Sequence, residues 1–115
     1  MEQRKRAWVY CRIDAPEDNN GCLKEQKKEL FDYANQMNFD VVGSTQDTGY
    51  RFEFMPSGLC NVLKVAEKGE FEILILKQIN YMGREKDKTL KILTELNSIG
   101  IKVYSPLEGE IISSK

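Results

Sequence analysis

The sequence predicts an α/β domain of three layers, in which a mostly parallel sheet of four to five strands lies between helices. Short apolar segments rich in β-branched and aromatic residues alternate with longer segments whose apolar residues recur every three to four positions. Only short polar stretches separate these segments, and such alternation is typical of βαβ units with helices on both faces of the sheet. A nearly continuous apolar run over residues 71–77 is expected of a strand that is covered on both faces.

The first half of the chain predicts two strands and one helix. Residues 7–13 (AWVYCRI) predict the first strand, and the turn-forming residues 14–21 end it. Residues 22–37 carry apolar side chains at helical spacing and predict the first helix. Residues 40–45 (DVVGST) predict the second strand, which ends at a loop over residues 46–55.

The middle of the chain predicts the second helix and the third strand. Pro56 and the serine after it suit a helix start, because proline lacks an N–H that the first turn would leave unpaired. Gly69 is expected just past the end of this helix, where a left-handed conformation favours glycine. The apolar run over residues 71–77 then forms the third strand, and a polar loop over residues 78–85 follows it.

The last part of the chain predicts a third helix and two strands. Residues 86–99 have apolar side chains at helical spacing, and Gly100 ends the helix. The side chains expected to point inward from this helix are Leu90, Leu93 and Leu96. Residues 101–104 predict the fourth strand, and residues 110–113 predict a short fifth strand at an antiparallel edge.

Length and charge narrow the possible classes of protein. The 115 residues predict a single domain over residues 1–115, and a 41% hydrophobic and 30% charged composition is ordinary for a globular protein. No apolar run approaches the length of a membrane-spanning helix, and no apolar signal core follows the first residues, so a cytoplasmic location is expected. With 17 basic and 18 acidic residues, the net charge is −1. The chain therefore lacks the excess of basic residues that is typical of domains that bind DNA by themselves.

Several kinds of chemistry are excluded by residue type. The chain contains no histidine, which removes Ser-His-Asp and Cys-His nucleophile systems and most zinc sites. Its three cysteines are odd in number and lack a C-x-x-C spacing, so they are interpreted as reduced thiols. We therefore expect neither a metal nor another cofactor.

The predicted topology locates the functional site. In open parallel sheets the site lies at the carboxyl ends of the strands. Three segments lie there, residues 12–14, residues 46–49 and residues 78–84. Their polar side chains are the candidates for chemistry.

These segments carry a pattern that resembles the amino-terminal catalytic domain of serine site-specific recombinases, the resolvase and invertase family. Where that family has Tyr-x-Arg-Val-Ser in its first strand, this chain has Tyr10-Cys11-Arg12-Ile13-Asp14. The family's helical glutamine is matched by Gln26, its Asp-x-Gly by Asp47-Thr48-Gly49, and the last arginine of its Leu-Asp-Arg-Leu-x-Arg by Arg84. The order and spacing of these blocks extend the resemblance over residues 7–106 and imply a resolvase-like fold, DNA strand exchange and the catalytic residues Arg12, Gln26, Asp47 and Arg84.

The sequence departs from the family pattern at positions that have catalytic roles in that family. Asp14 replaces the attacking serine, and Met55 replaces the arginine before the helical proline. Asn80 and Tyr81 replace the paired aspartate and arginine that follow the third strand. The resemblance implies phosphate contacts from Arg12 and Arg84, and Arg51 is a candidate substitute for a lost arginine. We therefore expect a catalytically impaired member of the family.

The expected role is that of an accessory or regulatory recombination protein. The resemblance implies weak DNA binding by the chain alone and association as a homodimer or with an intact recombinase. The family's carboxyl-terminal DNA-binding domain is expected to be absent. Two alternatives stay open: an active DNA-cleaving enzyme with a non-standard nucleophile or a metal held by Asp14 and Asp47, and a protein-interaction module without DNA contact.

Overall fold

The computed structural model describes residues 4–12, 21–47, 57–77 and 86–111, which form five strands and three helices. In chain order the elements are β1 (Arg6–Arg12), α1 (Cys22–Gln36), β2 (Asp40–Asp47), α2 (Ser57–Glu67), β3 (Ile73–Ile75), α3 (Lys86–Ser98), β4 (Lys102–Ser105) and β5 (Gly109–Ile111). The alternation of strands and helices is that predicted from the hydrophobic pattern.

The sheet has the order β2-β1-β3-β4-β5. The first four strands pair in parallel, and β5 pairs with β4 in antiparallel. This confirms a mostly parallel sheet with an antiparallel edge strand. Because β1 lies between β2 and β3, its carboxyl end is flanked by the loops that follow both of those strands.

Two hydrophobic cores cover the two faces of the sheet. One core joins alternate residues of β1, β3 and β4, among them Tyr10 and Leu74, to α2 and α3. The other joins the remaining alternate residues, among them Val9 and Ile75, to α1. Since strand side chains alternate between faces, this division explains why β3 is apolar at every position. The predicted three-layer architecture is confirmed.

Some element boundaries differ from the prediction. β2 continues to Asp47, two residues past the predicted end, because Gln46 and Asp47 pair in register with the last two residues of β1. The ladder of β3 covers only Ile73–Ile75 of the apolar run predicted as a strand. β5 begins one residue earlier than predicted, at Gly109. The first strand was expected to reach Ile13, which lies outside the described residues.

The prediction that Leu90 points inward from α3 is wrong. Leu90 is 42% exposed, whereas Leu93 and Leu96 are buried as expected. Ile92 is also buried, and it lies on the side of Leu93 away from Leu90. The helix therefore turns its buried stripe toward Ile92, which leaves Leu90 at the rim of the core.

Candidate functional site

The carboxyl ends of β1 and β2 bring together two predicted site residues. Arg12 lies opposite Asp47 in the parallel ladder, so both side chains leave the same face of the sheet. Both are nearly inaccessible to solvent, with exposed fractions of 5% and 6%. This is the face that α2 and α3 cover, and Tyr10, two residues before Arg12, also belongs to it.

Asp47 is held by a hydrogen bond from Tyr10. The Tyr10 hydroxyl donates to Oδ2 of Asp47 over 2.6 Å, on a diagonal from one strand to the next. Burial raises the pKa of Tyr10 far above its usual value, the hydrogen bond and negative charge of Asp47 raise it further, and Arg12 opposes the change. Tyr10 therefore stays protonated at neutral pH and acts as a fixed donor to Asp47.

The third predicted site residue, Gln26, binds backbone. Its Oε1 accepts from the Arg12 N–H at 3.0 Å, and its Nε2 donates to the Arg12 carbonyl at 3.1 Å. The pairing of β1 with β3 runs only from Ala7 to Val9, so the sheet does not satisfy this part of β1 on that side. The amide of Gln26 takes the place of a neighbouring strand there and joins α1 to the end of β1.

A second diagonal contact between β1 and β2 lies on the same face, two residues earlier in each strand. Trp8 Nε1 donates to Thr45 Oγ1 over 3.3 Å, parallel to the Tyr10–Asp47 bond. The Trp8 ring stacks on Phe71 with 5.5 Å between the ring centroids. It also covers Gly43, where an added Cβ would lie 2.3 Å from Trp8 Cζ3. The β1–β2 register shifts between Ala7 and Trp8, so the contacts of Trp8 lie directly after the shift, in the register that places Asp47 opposite Arg12.

The carboxyl ends of β3 and β4 are joined by Ser105, a residue that the sequence pattern does not identify as part of the site. The Ser105 hydroxyl is buried and donates to the Lys77 carbonyl at 2.5 Å. It also accepts from the backbone N–H groups of Leu107 and Glu108. A serine between a strand and a turn was the only signal in the sequence, and it is too common to identify such a residue.

Cys11 lies on the opposite face of β1 from Arg12, in the core beside α1. Burial raises the pKa of its thiol from 9.0 to about 12, against a smaller opposing effect of the Lys27 charge. The thiol is therefore protonated at neutral pH, which fits the predicted reduced cysteine. Across the described segments, no group of three or more acidic or cysteine side chains is placed to hold a metal ion.

The other predicted site residues lie outside the described part of the chain. These are Asp14, Arg51, Met55, Asn80, Tyr81 and Arg84. Of the predicted site, the structure therefore brings together Arg12, Gln26 and Asp47, and it adds Tyr10 as the residue that holds Asp47.

The fold is similar to that of several solved recombinase domains. The C-terminal catalytic domain of ISC1926 TnpA, an IS607-like serine recombinase, superposes with a TM-score of 0.79 at 21% identity, covering 87% of this chain and 69% of that one. The N-terminal catalytic domain of TP901-1 integrase gives 0.79 at 19% identity, covering 91% and 79%. A resolvase family site-specific recombinase from Streptococcus pneumoniae gives 0.77 at 18% identity, covering 97% and 78%.

Among the described helices, none is long and apolar enough to cross a membrane.

Sequence comparison identifies the family. Comparison with curated proteins gives no match. The family model "Resolvase, N terminal domain" matches residues 7–114, nearly the whole chain. The chain therefore belongs to the resolvase N-terminal domain family and is a resolvase-like serine recombinase domain.

Proposed function

We propose that this domain is impaired in DNA strand cleavage and acts in site-specific recombination as an accessory or regulatory protein. The observation that carries the proposal is Asp14, which stands where the family's attacking serine is expected. A carboxylate there repels a phosphodiester by about 4 kcal/mol at 4 Å and an effective dielectric constant near 20. Attack by Asp14 would also give a mixed anhydride, which water hydrolyses, so the energy needed for rejoining the strands would be lost.

Missing arginines support the same conclusion. Met55 and Tyr81 stand at positions where the family pattern has arginine. A single arginine that neutralises a transferring phosphoryl group contributes about 10³–10⁵ in rate in other phosphoryl transfers. Arg12 and Arg84 are the phosphate contacts that we assign to this chain, with Arg51 as a substitute for one lost arginine.

The contacts of the retained residues give them a role that needs no catalysis. Gln26 binds the backbone of Arg12, and Tyr10 binds Asp47, so these side chains join α1, β1 and β2 at their ends. A chain that keeps the fold for association with other proteins needs those contacts even when it cuts no DNA. This accounts for a motif that keeps its buried members and has lost its serine.

A cleavage assay tests the proposal. Supercoiled plasmid is incubated with the protein, with Mg²⁺ or with a chelator, and the reaction is stopped with denaturant. We expect neither nicked plasmid nor protein covalently attached to DNA. An intact serine recombinase with its own site is the positive control. Nicking that Asp14→Ala abolishes and the neighbouring variant Asp18→Ala retains would contradict the proposal and favour an active enzyme. Loss of that nicking in the chelator would assign it to a metal.

DNA binding is the second part of the proposal. A net charge of −1 favours only weak binding to duplex DNA by the chain alone. Fluorescence anisotropy with mixed-sequence duplex at two salt concentrations measures it. Weak binding with a steep salt dependence is expected, since phosphate contacts release counterions. No binding at either concentration would leave a protein-interaction module without DNA contact.

The third part is association with other copies or with an intact recombinase in the cytoplasm. A member without its own nucleophile acts on recombination by entering an assembly that contains a competent subunit. Mixed assembly predicts that the chain lowers strand exchange by an intact partner in proportion to its molar share. An exchange rate that does not depend on added chain would contradict this role.

A further inference from the structure

The pairing of β1 with β2 contains one extra residue, which lies in β2. Ala7 pairs with Val41, but the next residue of β1, Trp8, pairs with Gly43. Val42 is therefore left between the two pairs, and its side chain is 44% exposed. An extra residue of this kind is a β-bulge, and every residue of β2 beyond it faces the side opposite to the one it would face in a regular pairing.

The bulge decides which side chain of β2 reaches the candidate site. In the bulged register, Asp47 lies opposite Arg12 and accepts the hydrogen bond from Tyr10. In a regular register, which would continue the pairing without the bulge, Gln46 would lie opposite Arg12 instead. Asp47 would then face the side of the sheet that α1 covers. The burial of Asp47 beside Tyr10 therefore depends on the bulged register.

The Trp8 ring leaves no room for a side chain on the residue opposite it. A Cβ on Gly43 would lie 2.3 Å from Cζ3 and 2.6 Å from Cη2 of the ring, whereas carbon atoms in contact pack at about 3.5–4.0 Å. The ring is held in place because it stacks on Phe71 and donates a hydrogen bond to Thr45. In the regular register Val42 would lie opposite the ring, and its Cβ would meet the same atoms.

We propose that Trp8 and Gly43 are positioning residues for Asp47. The ring accepts only glycine opposite it and thereby selects the bulged register, which brings Asp47 to Tyr10. The φ of Gly43 is not positive, so the ring and not the backbone conformation accounts for glycine at this position. The proposal goes beyond the proposed function, since it concerns the placement of one carboxylate whether or not the domain cuts DNA.

Moving the glycine one residue earlier in β2 tests this selection. The exchange variant Val42→Gly/Gly43→Val keeps the composition and net charge of the chain, and only the regular register then places glycine opposite the ring. Nuclear Overhauser effects between backbone protons of β1 and β2 report the register directly. We expect the partner of Tyr10 in β2 to change from Thr45 to Ser44.

The matched control makes the same exchange in a Trp8→Val chain, which lacks the ring. There the bond between Tyr10 and Asp47 favours the bulged register, so Tyr10 should keep Thr45 as its partner. An exchange variant that folds with Tyr10 still beside Thr45 would overturn the proposal. The same change of register in the control would also overturn it, because the change would then occur without the ring.

If the exchange variant does not fold, Gly43→Val decides. This variant has glycine opposite the ring in neither register, so the Overhauser effects between β1 and β2 beyond Trp8 should be lost. Adding Trp8→Val should restore them in the bulged register. Unchanged pairing in Gly43→Val, or no restoration by the second substitution, would overturn the proposal. None of these results alters the plasmid cleavage assay, which tests the proposed function separately.

Discussion

Loss of the hydrogen bond between Tyr10 and Asp47 is expected to destabilise the carboxyl end of β1 more than loss of any exposed contact. Tyr10→Phe removes the hydroxyl and keeps the ring, so the packing against α2 and α3 is unchanged. The bond is 2.6 Å long and both side chains are buried. The variant therefore leaves a buried carboxylate without this donor.

The expected loss follows from that geometry. A hydrogen bond to a charged group contributes about 1.5–3 kcal/mol, and both partners of this bond are buried. With a urea m-value of roughly 1–3 kcal/mol/M, the unfolding midpoint should fall by about 1 M. Tyr33→Phe is the matched control, because its ring is partly exposed, and it should change stability by less than about 0.5 kcal/mol.

Urea unfolding followed by Trp8 fluorescence measures these differences. Asp47→Asn and the double variant complete a thermodynamic cycle. The loss of stability in the double variant should be smaller than the sum of the two single losses by about 1 kcal/mol or more. A Tyr10→Phe variant within 0.5 kcal/mol of the unmodified chain, or a strictly additive cycle, would refute the role assigned to this bond.

Three further predictions concern the same strands. Gly43→Ala should lower stability by about 1–3 kcal/mol, since its Cβ would meet the Trp8 ring. Adding Trp8→Phe should recover part of the loss in urea unfolding followed by circular dichroism, because Trp8 is the only tryptophan. Gln26→Leu should speed hydrogen exchange at the Arg12 amide in NMR spectra, because that N–H loses its acceptor. The free energy of unfolding should fall as pH rises from 9 toward 12, because the Cys11 thiol loses its proton at lower pH in the unfolded chain than in the folded one. The contribution of Cys11 is up to about 1.4 kcal/mol per pH unit. Cys11→Ala should therefore show a shallower fall.

The fold was predictable because its signals are periodic. The apolar residues of β3 and the helical spacing of α1 and α2 each identify an element, and short connections leave parallel pairing as the simplest arrangement. The location of the site at the carboxyl ends follows from that arrangement. The exposed position of Leu90 was not predictable from leucine spacing alone, since Ile92 competes for the same core.

The contacts within the site were less predictable. The motif identifies Arg12, Gln26 and Asp47 as candidates, but a linear pattern does not say that Gln26 binds backbone. The Tyr10–Asp47 bond depends on the β1–β2 register, which shifts between Ala7 and Trp8. No periodicity encodes that shift. A contact that depends on the register of two strands can be identified only when the pairing of those strands is known.

The described residues form a resolvase-like fold, and the proposed function assigns the chain an incomplete set of catalytic residues. The buried side chains of Tyr10, Gln26 and Asp47 make contacts at the ends of the strands, whereas the proposal places Asp14, Met55 and Tyr81 where the family pattern has a serine and two arginines. The proposed role therefore depends on association with a competent recombinase.

The most direct test is affinity purification of the tagged chain from nuclease-treated lysate of its native host, with the bound proteins identified by mass spectrometry. Nuclease treatment removes proteins that are bridged only by DNA. We expect an intact serine recombinase, with serine at the position of Asp14, to be recovered with the chain. Recovery of no recombinase from a lysate that contains one would contradict the accessory role.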